Sequence, residues 1–284
     1  MFHRSPLRRR AVVNYGVPHP RTSSTFLAHY GPWAVVAGAS EGLGAAFAHA
    51  LATRGLKLLL LARRAEQLAE VAAPLRAITE VRTAAIDLGD PDLAATLAAL
   101  TGELEVGLCV YNAAFSQVGP FLEQSLLDHQ RIVDVNCRGP MIAARVLGEA
   151  MARRGRGGIL LMSSLTALCG SPYLAGYGAS KAFNLSLGEA LWYELGPQGI
   201  DVLVCCAGAT STPGFLRTSG AGGPRSMTPE AVVEEALAAL GGPPSMIPGA
   251  LNRMAARVLA RLLPRRTAVR IMGAQTARLS RPRG

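Results

Sequence analysis

From residue 33 onward, apolar runs of strand length alternate with longer stretches of helical periodicity. The runs fall at 33–39, 57–62, 81–87, 106–113, 158–163 and 199–207, with a short seventh near 245–247. Helical patterns occupy 42–54, 64–78, 91–102, 126–154 and 175–196. Most of the runs are continuously apolar rather than apolar at every second position, which marks strands buried on both faces. Strands of that kind separated by helices predict a parallel sheet covered on both sides. No repeat, linker or boundary interrupts 33–250, so that span reads as one domain. Outside it lie a basic, flexible extension at 1–32 and a basic amphipathic extension at 251–284.

Charge is distributed unevenly. Residues 1–32 hold five arginines and 251–284 hold nine, neither with an acid, which leaves 15 basic against 19 acidic residues in 33–250. The overall charge of +10 therefore belongs to the ends, and a mildly acidic body argues against a nucleic-acid protein. The five cysteines form no Cys-x-x-Cys pair and have no histidine cluster beside them. They read as buried thiols of a reducing, cytoplasmic compartment, with no metal site. No apolar stretch approaches the roughly 20 residues that span a bilayer. The Arg-rich first ten residues fit either a mitochondrial-type presequence or a disordered extension. In 251–263, Arg253, Arg257 and Arg261 form a stripe, with Met254, Val258, Leu259 and Leu262 on the other side. The favoured reading packs the apolar side on the body. The alternative is weak peripheral contact with an anionic membrane.

The first strand runs into Gly38-Ala39-Ser40-Glu41-Gly42-Leu43-Gly44. Glycines at such a turn let the backbone approach a pyrophosphate, and the helix behind offers free N–H groups. A tight strand–helix junction would also use glycine. Its place after the first strand of a βαβ unit favours a dinucleotide cradle of Gly38, Ser40, Gly42, Leu43 and Gly44. The second strand ends Leu61-Ala62-Arg63-Arg64, with no acid before Glu66. An acid there holds the ribose diol of NAD, whereas arginine suits the 2′-phosphate of NADP. Arg63, helped by Ser40, thus favours NADP over NAD. Asp87 either accepts from the adenine amine or caps the helix that follows. Asn112 ends the fourth run, in position to lock strands and face the adenine ribose.

Only two lysines occur against 27 arginines, Lys57 and Lys181. Lys181 stands four residues after Tyr177, on one face of a helix. An ammonium beside a phenol favours phenolate and brings a proton donor and acceptor toward neutral pH. Ser164 ends the fifth run, and strand ends meet the starts of following helices at one edge of a parallel sheet. Ser164 and Tyr177 thus converge on one substrate oxygen. Asn136, polar within an apolar helical pattern, is either a satisfied core residue or a functional kink.

In order and spacing, Gly38/Gly42/Gly44, Asn112, Asn136, Ser164 and Tyr177-x-x-x-Lys181 resemble the short-chain dehydrogenase/reductase family. The resemblance implies a Rossmann-like, doubly wound, seven-stranded parallel sheet with helices on both faces. It implies an enzyme that interconverts a ketone and a secondary alcohol with a nicotinamide cofactor. Tyr177 would be the general acid/base and Ser164 the donor to the substrate oxygen. Lys181 would hold the nicotinamide ribose and depress the Tyr177 pKa. Asn136 would hold a water linking Lys181 to solvent. Gly208 and Thr212 match positions near the cofactor, and Thr212 serves equally as a cap for the next segment. Three departures stand out: Ala37 for a Thr, Tyr111-Asn112-Ala113-Ala114 for Asn-Asn-Ala-Gly, and Ala207-Gly208 for Pro-Gly.

The resemblance implies that residues 209–229, with their Gly-rich 219–223, cover the substrate as a lid; a disordered surface loop is the alternative. Leu165, Tyr173, Phe215, Leu216 and Met227 suit an apolar pocket for a lipid, acyl or steroid-like substrate. The expected protein is an NADP(H)-dependent oxidoreductase of a small carbonyl or alcohol, and the resemblance implies a homodimer or homotetramer built through 126–154 and 175–196. The alternatives are a dinucleotide sensor without turnover and a membrane-surface adaptor working through the arginine-rich ends.

Overall fold

Along each inner strand, successive side chains enter two different cores, as the pleat requires. Ala34, Val36, Leu58, Leu60, Leu108, Val110, Leu160 and Leu203 join one cluster, and Val35, Leu59, Leu61, Cys109, Ile159, Leu161 and Val202 the other. A sheet apolar on both faces needs helices on both, and the computed structural model has them. It describes residues 23–219, 226–277 and 279. The strands are β1 (Trp33–Ala37), β2 (Lys57–Ala62), β3 (Val81–Ala85), β4 (Val106–Tyr111), β5 (Gly157–Ser164), β6 (Ile200–Ala207) and β7 (Ser245–Met246). All pairs are parallel, in the order β3-β2-β1-β4-β5-β6-β7. This is the seven-stranded, doubly wound sheet that the alternation predicts. Helices α2 (Gly42–Thr53), α3 (Ala65–Leu75) and α9 (Pro229–Ala239) cover the first face. Helices α4 (Leu93–Thr101), α6 (Gly139–Arg154) and α7 (Ala175–Leu195) cover the second.

The packed chain begins before residue 33, which corrects the expected boundary of the flexible extension. Helix α1 (Ser23–Tyr30) buries Phe26 and Tyr30 in the first core. Tyr30 Oη donates to Asp201 Oδ2 at 2.7 Å, and His29 Nε2 lies 3.1 Å from the same oxygen. Eight residues give too short a period to stand out in the sequence; two buried aromatics hold the helix instead. Residues 1–22 lie outside the described residues, and so does the presequence reading.

The long pattern at 126–154 is not one regular helix. Helix α5 (Leu126–Val133) passes through a single π-helical turn at Asp134–Arg138 into α6. In the lid region, α8 (Pro213–Ser219) precedes α9, whose Thr228 hydroxyl accepts from the Ala231 N–H. Residues 220–223 of the Gly-rich run lie outside the described residues.

The C-terminal segment forms α10 (Ala250–Arg257), a second π-helical turn at Val258–Leu262, and α11 (Arg265–Thr276). Its apolar side does not pack on the body as expected. Leu259 joins Leu263 against Cys169, Ala268 and Met272, whereas Leu251, Met254 and Leu262 face solvent. No helix among the described residues is long and apolar enough to cross a membrane.

Replacing Tyr30 by Phe keeps the packing but removes a hydrogen bond to a carboxylate. Tyr30→Phe is expected to lower unfolding free energy by about 1.5–3 kcal/mol, read from the urea midpoint. An unchanged midpoint would mean that this contact contributes nothing to seating α1.

Candidate active site

At the C-terminal edge of the sheet, β1 turns into α2 through the glycine loop. Gly38 (φ 83°) and Gly42 (φ 58°) occupy the left-handed region that side-chain-bearing residues avoid. A Cβ on Gly38 would lie 2.6 Å from the Ala113 Cα, and one on Gly44 would collide with the Gly38 carbonyl. The Asn112 amide donates to that carbonyl at 2.9 Å, and the Gly38 N–H donates to Leu61 O at 2.7 Å. Asn112 therefore locks β4 to the loop, as the sequence led us to expect. The first turn of α2 has no side-chain cap from Glu41, which leaves its N–H groups open. A cleft of about 470 Å³ lies here, lined among others by Gly38, Ser40, Gly42, Leu43, Arg63 and Asn112. Open N–H groups, close glycine backbone and basic side chains fit a dinucleotide phosphate.

Arg63 is exposed at the cleft and forms no hydrogen bond or contact ion pair among the described residues. Its neighbour Arg64 donates to Ser40 Oγ at 3.1 Å and pairs with Glu41 at 3.1 Å. From the lid helix α8, Arg217 pairs with the same Glu41 oxygen at 2.6 Å. The Arg217 hydrogen bond, aided by Arg64, holds the Glu41 carboxyl below the usual range despite partial burial. Sequence reasoning did not single out Glu41 or Arg217, because no local spacing links residues on the loop and the lid.

Asp87 accepts from the Gly89 N–H at 2.8 Å and from Arg131 at 2.6 Å while lining the cleft. Partial burial pushes its pKa up, but the Gly89 N–H and Arg131 more than offset this and hold the carboxyl below the usual range. It closes the turn after β3, and α4 begins at Leu93, so it is not the helix N-cap.

Asn136 is fully buried in the π-turn. Its Oδ1 accepts from the Phe115 N–H at 2.7 Å, and its Nδ2 donates to the Phe115 carbonyl at 2.8 Å and to Ser180 Oγ at 3.0 Å. It is thus a satisfied residue at a helix irregularity, which joins the two readings left open. Both amide hydrogens are used, so its side chain has none to offer a relay water. Tyr111, at the departure from the Asn-Asn-Ala-Gly pattern, donates to the Val135 carbonyl at 2.7 Å. A Cβ at Gly139 would collide with the Tyr111 hydroxyl. The small residue at the start of α6 makes room for that large phenol.

Ser164 ends β5 opposite Ala207; its hydroxyl accepts from the Thr166 N–H at 3.2 Å and stands near enough to the Tyr177 phenol to pull its pKa down. Lys181, one turn along α7, is buried with Nζ 5.5 Å from the Tyr177 ring centroid. It donates to the Met162 carbonyl at 2.9 Å, and Ser163 Oγ donates to the Lys181 carbonyl at 2.7 Å. Strand end and helix start meet as predicted. The acidity runs the other way: burial pushes Tyr177 up to about 12, with Ser164 pulling down, and burial brings Lys181 down to about 8. Withdrawal from water is the largest cause of both shifts.

Thr212 lines the cleft and also accepts from the Phe215 N–H at 3.2 Å, so its two readings coexist. Gly208 does not line the cleft; a Cβ there would lie 2.7 Å from the Asn252 amide of α10. Leu165 and Phe215 are half-buried, and Tyr173 is exposed with a strained φ of 63°. None of the three lines this cleft. No group of side chains among the described residues is arranged to hold a metal, and all five cysteines are free.

The chain is similar to known proteins. The family pattern of the short chain dehydrogenases matches residues 32–219. A 7beta-hydroxysteroid dehydrogenase of Mediterraneibacter gnavus is 33% identical over 233 residues, covering 79% of this chain and 88% of that protein. A solved 7beta-hydroxysteroid dehydrogenase structure superposes with a TM-score of 0.82 at 30% identity, covering 87% of this chain and 98% of the other. A Sphingobium yanoikuyae short-chain dehydrogenase in complex with NADPH has a TM-score of 0.73 at 30% identity, covering 81% and 94%. The chain therefore belongs to the short-chain dehydrogenase/reductase family and is an oxidoreductase.

Proposed function

We propose that the protein is an NADPH-dependent reductase of a bulky apolar ketone, with Tyr177 as the proton donor. The observation that carries this reading is Ser164 beside Tyr177, with Lys181 buried 5.5 Å from the Tyr177 ring, at the same sheet edge as the glycine cleft. The bound nicotinamide supplies the hydride. Ser164 and Tyr177 donate to the substrate oxygen, where negative charge develops, and Tyr177 gives up its proton there. Lys181 holds positive charge beneath them and stands ready for a ribose hydroxyl. Asn136 acts through others, by fixing Phe115 and Ser180. A dinucleotide sensor has no use for an acid held in that position, so the pair supports turnover.

Arg63, with Arg64 and Ser40, would take the 2′-phosphate, and Gly38, Gly42, Leu43, Gly44, Asp87, Asn112 and Thr212 the rest of the dinucleotide. The NADPH-bound relative supports that preference. An apolar substrate is supported by the steroid dehydrogenases among the relatives and by Leu165, Tyr173 and Phe215 on segments flanking the pair. Exposed Leu126, Leu127, Met141 and Tyr193 on α5, α6 and α7 support a homo-oligomer. Free thiols, four of them buried, support a reducing, cytoplasmic setting.

An NADPH-oxidation assay over ketones of graded size tests the chemistry. Tyr177→Phe should cut kcat by roughly 10²–10⁴-fold while cofactor titration stays near wild type. Retained turnover would remove Tyr177 from the role of acid. With the phenol raised to about 12, the donor stays protonated through the assay range, whereas Lys181 loses its charge as pH rises through about 8. Reduction kcat/KM should therefore be level below that pH and fall above it; alcohol oxidation, which needs Tyr177 to accept a proton, should rise toward alkaline pH.

The cofactor preference has its own measurement. Arg63→Ala should weaken NADPH by roughly tenfold or more, the worth of a charge-assisted hydrogen bond, and leave NADH unchanged in fluorescence titration. Equal affinity of the wild type for both would end the NADP reading.

A further inference from the structure

The C-terminal segment shows apolar and basic side chains to solvent together. Leu251, Met254, Val258 and Leu262 are 64, 59, 38 and 73% exposed. Their spacing of three and four residues sets them along one face of α10 and the turn that follows. Other positions are taken up by the body: Ala256 is buried, the Asn252 amide donates to the Pro248 carbonyl at 2.9 Å, and Leu259 packs on the Cys169 cluster. Arg257 and Arg261 are exposed and have no carboxylate partner among the described residues, while Arg253 is held by Glu235 at 3.0 Å. Nine arginines and no acid occur from 251 to 284.

We propose that this face is an interfacial anchor for an anionic lipid surface, with the apolar stripe at the acyl boundary and the arginines among the head groups. Charge selects the occupant. A second copy would set one arginine-rich face against another, whereas an anionic bilayer offers apolar depth and negative charge in one plane. The anchor also adjoins the substrate side of the site. Asn252 lies against Gly208 at the end of β6 and reaches the Met227 sulfur beyond the lid helix. Arg265 donates to the Leu168 carbonyl at 2.8 Å, in the loop between Ser164 and Tyr177. Docking would hold that side of the enzyme to the phase in which an apolar ketone dissolves. That last consequence rests on the apolar-substrate reading; the docking itself does not.

The test is co-sedimentation of the full chain with vesicles of phosphatidylcholine mixed with phosphatidylserine, against phosphatidylcholine alone. The wild type should partition onto the mixed vesicles and be released as salt rises. Leu251→Ser/Met254→Ser/Leu262→Ser and Arg257→Gln/Arg261→Gln should each lose partitioning. The arginine pair should lose roughly 30-fold, at about 1 kcal/mol per arginine. Both variants should keep wild-type melting and wild-type turnover of a water-soluble ketone. Failure of the wild type to bind mixed vesicles overturns the proposal, and so do variants that bind as well as wild type. A concentration-dependent dimer that the triple-serine variant abolishes, with no vesicle binding by the wild type, assigns the stripe to self-association instead. Vesicle binding that is lost in both variants, in a protein that reduces no ketone, supports the anchor and defeats only the substrate reading.

Discussion

The buried amide of Asn136 connects the two halves of the site. One edge pairs with both backbone groups of Phe115, which lines the glycine cleft, and the remaining hydrogen goes to Ser180, next to Lys181 on α7. The amide reaches both because the helix carrying it widens into a π-turn. That turn is supported by the Tyr111 hydroxyl on the Val135 carbonyl and by the space at Gly139. Buried polar groups left unpaired cost about 1–3 kcal/mol each, so such a network favours one arrangement over looser ones. The cleft wall and α7 are thereby held in a fixed relation.

Burial also sets the electrostatics. Lys181 is buried and Tyr177 half-buried, and partial or full loss of water pushes each toward its neutral form. A phenol that resists ionisation is suited to donating a proton to a ketone oxygen. Around the more open glycine cleft the balance differs. Glu41, gripped by Arg64 and Arg217, keeps its charge and ties the lid helix to the loop expected to cradle phosphates.

The parallel sheet divides labour between its edges. The N-terminal edge is closed by α1, whose Tyr30 reaches Asp201 across the sheet. The C-terminal edge collects the glycine loop, Asn112, Ser164 and the lid. Beyond it, the C-terminal helices clasp the Ser164–Tyr177 loop through Arg265 and turn an uncovered apolar stripe outward.

The sequence by itself determined the sheet and the chemistry of its edge. Apolar runs of strand length between helices point to strands buried on both faces, and a lysine one helical turn after a tyrosine shares its face. Glycines after the first strand likewise reveal a close backbone approach. Tertiary structure decided what depends on distant partners or on the amount of water excluded. Asn136 looked the same as core residue or kink until Phe115 and Ser180 were beside it. Glu41 and Arg217 carry no common local pattern. The Tyr177–Lys181 spacing conveyed proximity but not burial, and burial reversed the direction of the phenol's shift. The amphipathic pattern of 251–263 was equally legible, but periodicity records only that a helix has an apolar side. Which side the body covers is set by where Cys169, Ala268 and Met272 wait to receive it, and they receive Leu259 while Leu251, Met254 and Leu262 stay in water.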